Sequence, residues 1–152
     1  MLKPGDKAPE FTAPDQTGTI RNLKDYLGKK VILYFYPKDM TEGCTVQACD
    51  FRDNLNRLHG HGAEVLGVSP DPVKRHAKFA AKESLNFPIL SDEEKAISEA
   101  YGVWVEKSMY GRKFMGVERT TFIIDEGGNI ERVFPKVKVK GHVQEVADAL
   151  AG

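Results

Sequence analysis

Cys44 and Cys49 are the only two cysteines of this 152-residue chain. They follow a run of β-type apolar residues, Val31 to Tyr36, which ends at Pro37 and gives way to a short loop, Lys38 to Gly43. The pattern after the loop is helical. A thiol on the first turn of a helix, behind a strand and a tight turn, is placed for nucleophilic chemistry. There the free N–H groups and the positive end of the helix dipole favour thiolate over thiol, and the thiolate is the reactive form. Thr41 is the expected N-cap, its hydroxyl accepting a hydrogen bond from an N–H two or three residues on. Taken alone, a cysteine on a buried helix face is usually just a small core hydrophobe. Its position in the first turn is what raises Cys44 above that reading.

The helical projection separates the two sulfurs. Cys44, Ala48, Phe51, Leu55 and Leu58 share one face at i, i+4, i+7 spacing, the face expected to meet the core. Cys49 lies about 140° around the helix from Cys44. Its side carries Thr45, Asp53 and Asn56 and reads as solvated. Five helical residues rise about 7.5 Å, which puts the two Cα atoms roughly 8 to 9 Å apart, beyond the roughly 7 Å limit for a disulfide. A Cys44–Cys49 bond therefore requires the first turns of the helix to unwind. A zinc site built from these cysteines with His59 and His61 is disfavoured, because the cysteine spacing is wrong for a knuckle and the two face apart.

The surrounding elements must hold this stretch. Lys3 to Arg21 reads as an extended segment, a turn at Asp15-Gln16-Thr17-Gly18 and a short return strand, together an N-terminal β-hairpin. Leu23 to Leu27 is a helical turn stopped by Gly28. Val31 to Tyr36 and Glu64 to Ser69 are near-continuous apolar runs of the kind that suits strands buried on both faces. The cysteine helix is expected to run on to Gly60-His61-Gly62. A helix follows Pro70-Asp71-Pro72 through Glu83, with Val73, Ala77, Phe79 and Ala80 as its apolar residues, and Phe87 to Leu90 is a short strand. Ser91-Asp92-Glu93-Glu94 has the capping-box form and opens a helix to Tyr101. An irregular stretch starts at Val103-Trp104-Val105. Thr120 to Asp125 and Asn129 to Phe134 form a hairpin, and Lys136 to Lys140 an alternating strand with a basic edge. Gly141 to Leu150 closes the chain as an amphipathic helix with Val143, Val146, Ala147 and Leu150 inward, and His142 near its cap. Alternating strands and helices followed by a hairpin and a helix predict an α/β protein: a mixed central sheet flanked by helices, in the outline of a thioredoxin-like fold, as one domain over residues 1–152.

Composition narrows the function classes. An apolar share of 41% and a charged share of 29% suit a soluble globular chain. The 22 basic and 22 acidic residues cancel, which argues against nucleic acid or an anionic membrane as the main partner. No apolar run reaches transmembrane length, and the N-terminus MLKPGDKAPEF has no signal-peptide core. Two neighbouring cysteines are not the disulfide framework of a secreted fold, so a reducing cytoplasm is expected.

The residues also carry a family pattern. Pro37, Thr41 and Cys44 stand in the order Pro-x-x-x-Thr-x-x-Cys, Cys49 follows, and Arg119 sits in Glu118-Arg119-Thr120-Thr121-Phe122. With Asp50 to Asp53, Tyr101 to Trp104, Phe122 to Asp125 and Lys136 to His142, the sequence resembles the peroxiredoxins, above all the peroxiredoxin Q or bacterioferritin comigratory protein type. Glu42 departs from the family, which usually has proline directly after the threonine, where it would stiffen the loop. The resemblance implies a thiol-dependent peroxidase acting on hydrogen peroxide and alkyl hydroperoxides. Cys44 would become sulfenic acid, Arg119 and Thr41 would hold the peroxide, Pro37 would cover the pocket, and Cys49 would resolve the sulfenic acid to a disulfide. A thioredoxin-type dithiol would reduce that bond. No metal or organic cofactor is implied, and a monomer or weak homodimer is expected. Two other classes share parts of this pattern: a peroxide-sensing binding protein, and a thioredoxin-like disulfide oxidoreductase, which would want Cys-x-x-Cys.

Overall fold

Side-chain alternation along one strand divides the core in two. In the computed structural model, Ile32, Tyr34 and Tyr36 enter one buried cluster and Val31, Leu33 and Phe35 the other, as the two-residue period of a strand requires. The structure describes residues 2–152; Met1, part of the expected domain span and of the N-terminal segment read above, lies outside them.

The strand in question, β3 (Lys30–Phe35), is the middle of a five-stranded mixed sheet. On one side it pairs in parallel with β4 (Ala63–Ser69), which pairs in parallel with β5 (Ile89–Ser91). On the other it pairs antiparallel with β8 (Thr120–Ile124), which pairs antiparallel with β9 (Ile130–Phe134). The cluster around Tyr34 packs under α1 (Glu42–Asp53), α2 (Leu55–Gly60), α3 (Val73–Glu83) and α5 (His142–Ala151). The opposite face is covered by α4 (Ala96–Ala100) and the N-terminal hairpin of β1 (Thr12–Pro14) and β2 (Ile20–Asn22). A 3-10 turn at Leu23–Tyr26 joins that hairpin to β3. The mixed sheet, its flanking helices and the N-terminal hairpin are all as the sequence predicts.

Four local expectations are corrected. The cysteine helix does not run unbroken to Gly60. It ends at Asp53, because the Asn54 side chain donates to the Asp50 carbonyl at 2.8 Å and competes with the helix ladder. The Ser-Asp-Glu-Glu capping box does not form. Ser91 ends β5, and Asp92 instead accepts from the N–H groups of Ile97 and Ser98 at 3.1 and 2.9 Å, so α4 starts only at Ala96. The stretch after Val103 is not irregular but an antiparallel hairpin, β6 (Trp104–Met109) and β7 (Arg112–Val117), turned at Tyr110-Gly111. Lys136 to Lys140 is not a strand. Pro135 offers no N–H to a ladder, Lys136 takes a left-handed φ of 49°, and the Val137 N–H is bound to the Arg119 carbonyl at 2.9 Å.

Candidate active site

The loop between β3 and α1 is shaped by polar contacts that reach back into the core. Tyr36 donates to the Asp39 carboxylate at 2.6 Å, and buried His76 of α3 meets the other carboxylate oxygen. The Asp39 N–H donates to Asp71 at 2.8 Å, and Arg75 donates to the Asp39 carbonyl at 3.0 Å. His76 Nε2 donates to the Leu90 carbonyl at 2.9 Å. Asp39, Asp71 and His76 bring ligand-type atoms within 4.8 Å of one another, but each of these residues is committed to hydrogen bonds that pin the loop. Neither Asp39 nor His76 was singled out from the sequence, where the apolar reading of α3 passed over His76 and included Ala77, which is exposed.

This pinned loop delivers Thr41 as the N-cap of α1, with extended φ and ψ of −87° and 157°. The expected cap bond from its hydroxyl is absent. The Thr41 hydroxyl instead donates to the Lys38 carbonyl at 2.8 Å, while the Thr41 carbonyl accepts the first helical bond from the Thr45 N–H at 2.9 Å. Cys44 lies in the first turn of α1 and is 1% exposed, at the floor of the site, whereas Cys49 is half-buried on another side of the same helix. Both sulfurs are free thiols, as the intact helix demands. The whole predicted inner face, Cys44, Ala48, Phe51, Leu55 and Leu58, is buried. Pro37 is half-buried directly after β3, and Glu42 is exposed.

Arg119 reaches this thiol from the short link between β7 and β8. Its Nη2 lies 3.3 Å from Cys44 Sγ, and its Nη1 donates to Gln47 Oε1 at 2.6 Å. Gly43 makes room for the approach, since a Cβ there would stand 3.4 Å from Arg119 Nη2. Gln47 is a functional candidate that sequence reasoning missed. It is 1% exposed and one turn beyond Cys44, so a polar residue at i+3 on the buried face was the available signal.

A second cation faces the site from the hairpin. Lys107 on β6 lays its stem over Gly116, where a Cβ would sit 3.3 Å from Lys107 Cδ. Burial pushes the Lys107 ammonium pKa down and the Arg119 guanidinium adds to this, against the opposing pull of Glu118 and Cys44. Burial drives the Tyr34 phenol pKa well up, and Cys44 pushes it the same way. Trp104 and Tyr101 serve packing: Tyr101 is buried with its hydroxyl on the Pro9 carbonyl at 2.7 Å, and Trp104 lies beneath the Lys95 ammonium. His142 opens α5 and is buried, bonded to Thr121 at 2.8 Å and to Glu145 at 3.0 Å.

The arrangement is that of a desolvated thiol beneath a fixed guanidinium, able to place two donors on a small oxygen substrate. Known proteins of the same build are found. The AhpC/TSA family model matches residues 4–133. A putative peroxiredoxin bcp of Coxiella burnetii is 53% identical over 149 residues, covering 98% of this chain and 99% of its own. Peroxiredoxin Bcp of Escherichia coli K12 is 50% identical over 141 residues, covering 93% and 90%. Among solved structures, a bacterioferritin comigratory protein of Xanthomonas campestris superposes with a TM-score of 0.89 at 40% identity, covering 93% of this chain and 90% of that one. A cysteine-to-serine variant of Xylella fastidiosa PrxQ gives 0.95 at 35% identity, covering 99% and 96%. The α/β fold is thus the thioredoxin-like fold of those structures, and the chain belongs to the AhpC/TSA family as a peroxiredoxin of the Bcp or peroxiredoxin Q type.

Proposed function

We propose that this thiol peroxidase reduces hydrogen peroxide and alkyl hydroperoxides by a two-cysteine cycle in which Cys44 is the peroxidatic residue. The observation that carries the reading is the Arg119 guanidinium 3.3 Å from the buried Cys44 sulfur on the first turn of α1. The Cys44 thiolate attacks one peroxide oxygen, the O–O bond breaks, and the other oxygen leaves as water or an alcohol after taking a proton. Cys44 is left as sulfenic acid. Arg119 supports the charge that grows on the departing oxygen, and the Cys44 N–H and the Thr41 hydroxyl orient the peroxide. To donate to substrate, the Thr41 hydroxyl must turn away from the Lys38 carbonyl, to which it is bonded here. Pro37 shields the pocket from water.

Cys49 then attacks the sulfenic acid, water is released and a disulfide forms. That step needs α1 to unwind between the two sulfurs. A dithiol of the thioredoxin kind reduces the bond, and sulfur supplies every electron of the cycle. We place the protein in the cytoplasm, as a single domain that works as a monomer or weak homodimer. No helix of the described residues is long and apolar enough to cross a membrane. The solved Xanthomonas campestris relative is described for alkyl peroxide reduction with trapped intermediate and ligand complexes, which supports the substrate class.

The test is a free-thiol titration after one equivalent of hydrogen peroxide on wild type, Cys44→Ser and Cys49→Ser. Wild type should lose both thiols, Cys49→Ser one with a trappable sulfenic acid, and Cys44→Ser none. Rapid thiol loss in Cys44→Ser would place the nucleophile elsewhere. Loss of a single thiol in wild type would make Cys49 a bystander.

A further inference from the structure

Away from the Cys44 pocket, the second sulfur touches a carboxylate from another helix. Cys49 Sγ donates to Oε1 of Glu83, the last residue of α3, at 3.6 Å. The same junction is tied twice more. Arg52 Nη1 donates to the Glu83 carbonyl at 2.6 Å, and Asn86 Nδ2 donates to the Arg52 carbonyl at 3.3 Å. These ties hold the half of α1 that carries Cys49 against the end of α3.

We propose that Glu83 is the proton acceptor for the resolving cysteine and holds it in place for attack. The proposal rests on the reading of Cys49 as the resolving residue. In the reduced protein the Glu83 carboxylate accepts the Cys49 S–H. In the resolving step that proton passes to Glu83 as the Cys49 sulfur forms the S–S bond to Cys44. The S–O bond of the sulfenic acid breaks, and the departing oxygen takes the proton from Glu83 and leaves as water. Cys49 is oxidised, Cys44 is reduced, and the carboxylate is regenerated.

The surroundings fit this division of labour. Burial pushes the Cys49 thiol pKa up; the Arg52 guanidinium opposes this, and the Glu83 and Asp53 carboxylates add to it. Arg52 and Asp53 act on the sulfur from α1, and Glu83 acts on it from α3. Cys49 is thus kept as a thiol that does not compete for peroxide, and a thiol needs a base when its turn comes.

One measurement decides it. In a single turnover, the decay of the Cys44 sulfenic acid into disulfide is followed against pH for wild type, Glu83→Gln and Glu83→Asp. Glu83→Gln should slow this phase by about a hundredfold near neutral pH, the lower end of general-base contributions. The deficit should shrink as pH rises and Cys49 ionises unaided, and Glu83→Asp should recover part of the rate. An unchanged resolving rate, or a deficit equal at every pH, would overturn the role of Glu83. If wild type forms no disulfide at all, the reading of Cys49 falls, and the proposal with it.

Discussion

At the residue scale, the Cys44 thiol depends on side chains that arrive from different parts of the chain. Arg119 comes from the β7–β8 link, 75 positions away, and Gln47 from the next turn of the same helix. A guanidinium held by a buried amide loses little freedom when it binds substrate, which is how a fixed donor becomes useful for catalysis. Arg119→Met should therefore lower the second-order rate with hydrogen peroxide by about a hundredfold to a thousandfold, read by stopped-flow mixing. Gln47→Met leaves the donors in place but loosens their aim. Its loss should be smaller, within the about hundredfold that a displacement of about 1 Å can cost, and it should vanish in the Arg119→Met background. Additive losses in the double variant would show that Gln47 acts on its own. Arg119 was legible because its neighbours matched a family pattern. Gln47 was not, since a polar residue on an apolar face carries no label until its partner is seen.

At the scale of elements, the site is a loop and a helix start held by the structures on either side. The loop from Pro37 to Thr41 is fastened to α3 through Asp39, His76 and Arg75. Asp39→Ala leaves the Tyr36 hydroxyl and His76 Nδ1 buried without that carboxylate. It should cost about 3 kcal/mol or more in denaturant unfolding, the usual penalty for breaking a buried charge-assisted pair. An effect within experimental error would mean that the loop is held by other contacts. The two-cysteine cycle proposed above also requires helix α1 to open. Amide exchange across residues 41–53 should rise on oxidation of wild type but not of Cys49→Ser, and equal protection in the two would count against unwinding. The order of strands and helices was readable, because β3 and β4 are apolar runs and α1, α3 and α5 carry helical periodicity. The β6–β7 hairpin was not. Met109, Tyr110, Phe114 and Met115 are all exposed on it, so it lacks the alternation of a half-buried strand.

For the molecule as a whole, stability and charge set the working range. Burial pushes the His142 imidazole pKa below its ordinary 6.5, and Glu145 only partly opposes this. A lowered value means that the unfolded chain binds the proton more readily than the folded one. His142 thus contributes stability that is complete above pH 6.5 and is lost as pH falls through its folded-state value. The thermal midpoint should drop below that pH more steeply in wild type than in His142→Gln, and parallel profiles would remove His142 from the acid response. The formal charge of zero leaves no net charge to steer a substrate from afar, and hydrogen peroxide is itself neutral. The rate with neutral hydrogen peroxide should accordingly change little between low and high salt. A steep decline would point to local fields from Lys107 and Arg119.

The sequence by itself determined the strand, loop and helix start that carry the two cysteines, most of the succession of strands and helices, and the membership of the family. Those features lie in short stretches, where propensity, periodicity and motif act over a few residues. Tertiary structure decided what depends on contacts between distant stretches: that Gln47 holds Arg119, that His76 fastens Asp39, and that Glu83 meets Cys49 across two helices. It also decided that the Thr41 hydroxyl turns to Lys38 rather than into the helix, and that Asn54 breaks α1. The first three contacts join residues 34 to 72 positions apart, and local sequence does not encode which of them the fold brings near. The last two are local, but there a side chain and the helix ladder compete for the same backbone groups, and propensity alone does not name the winner.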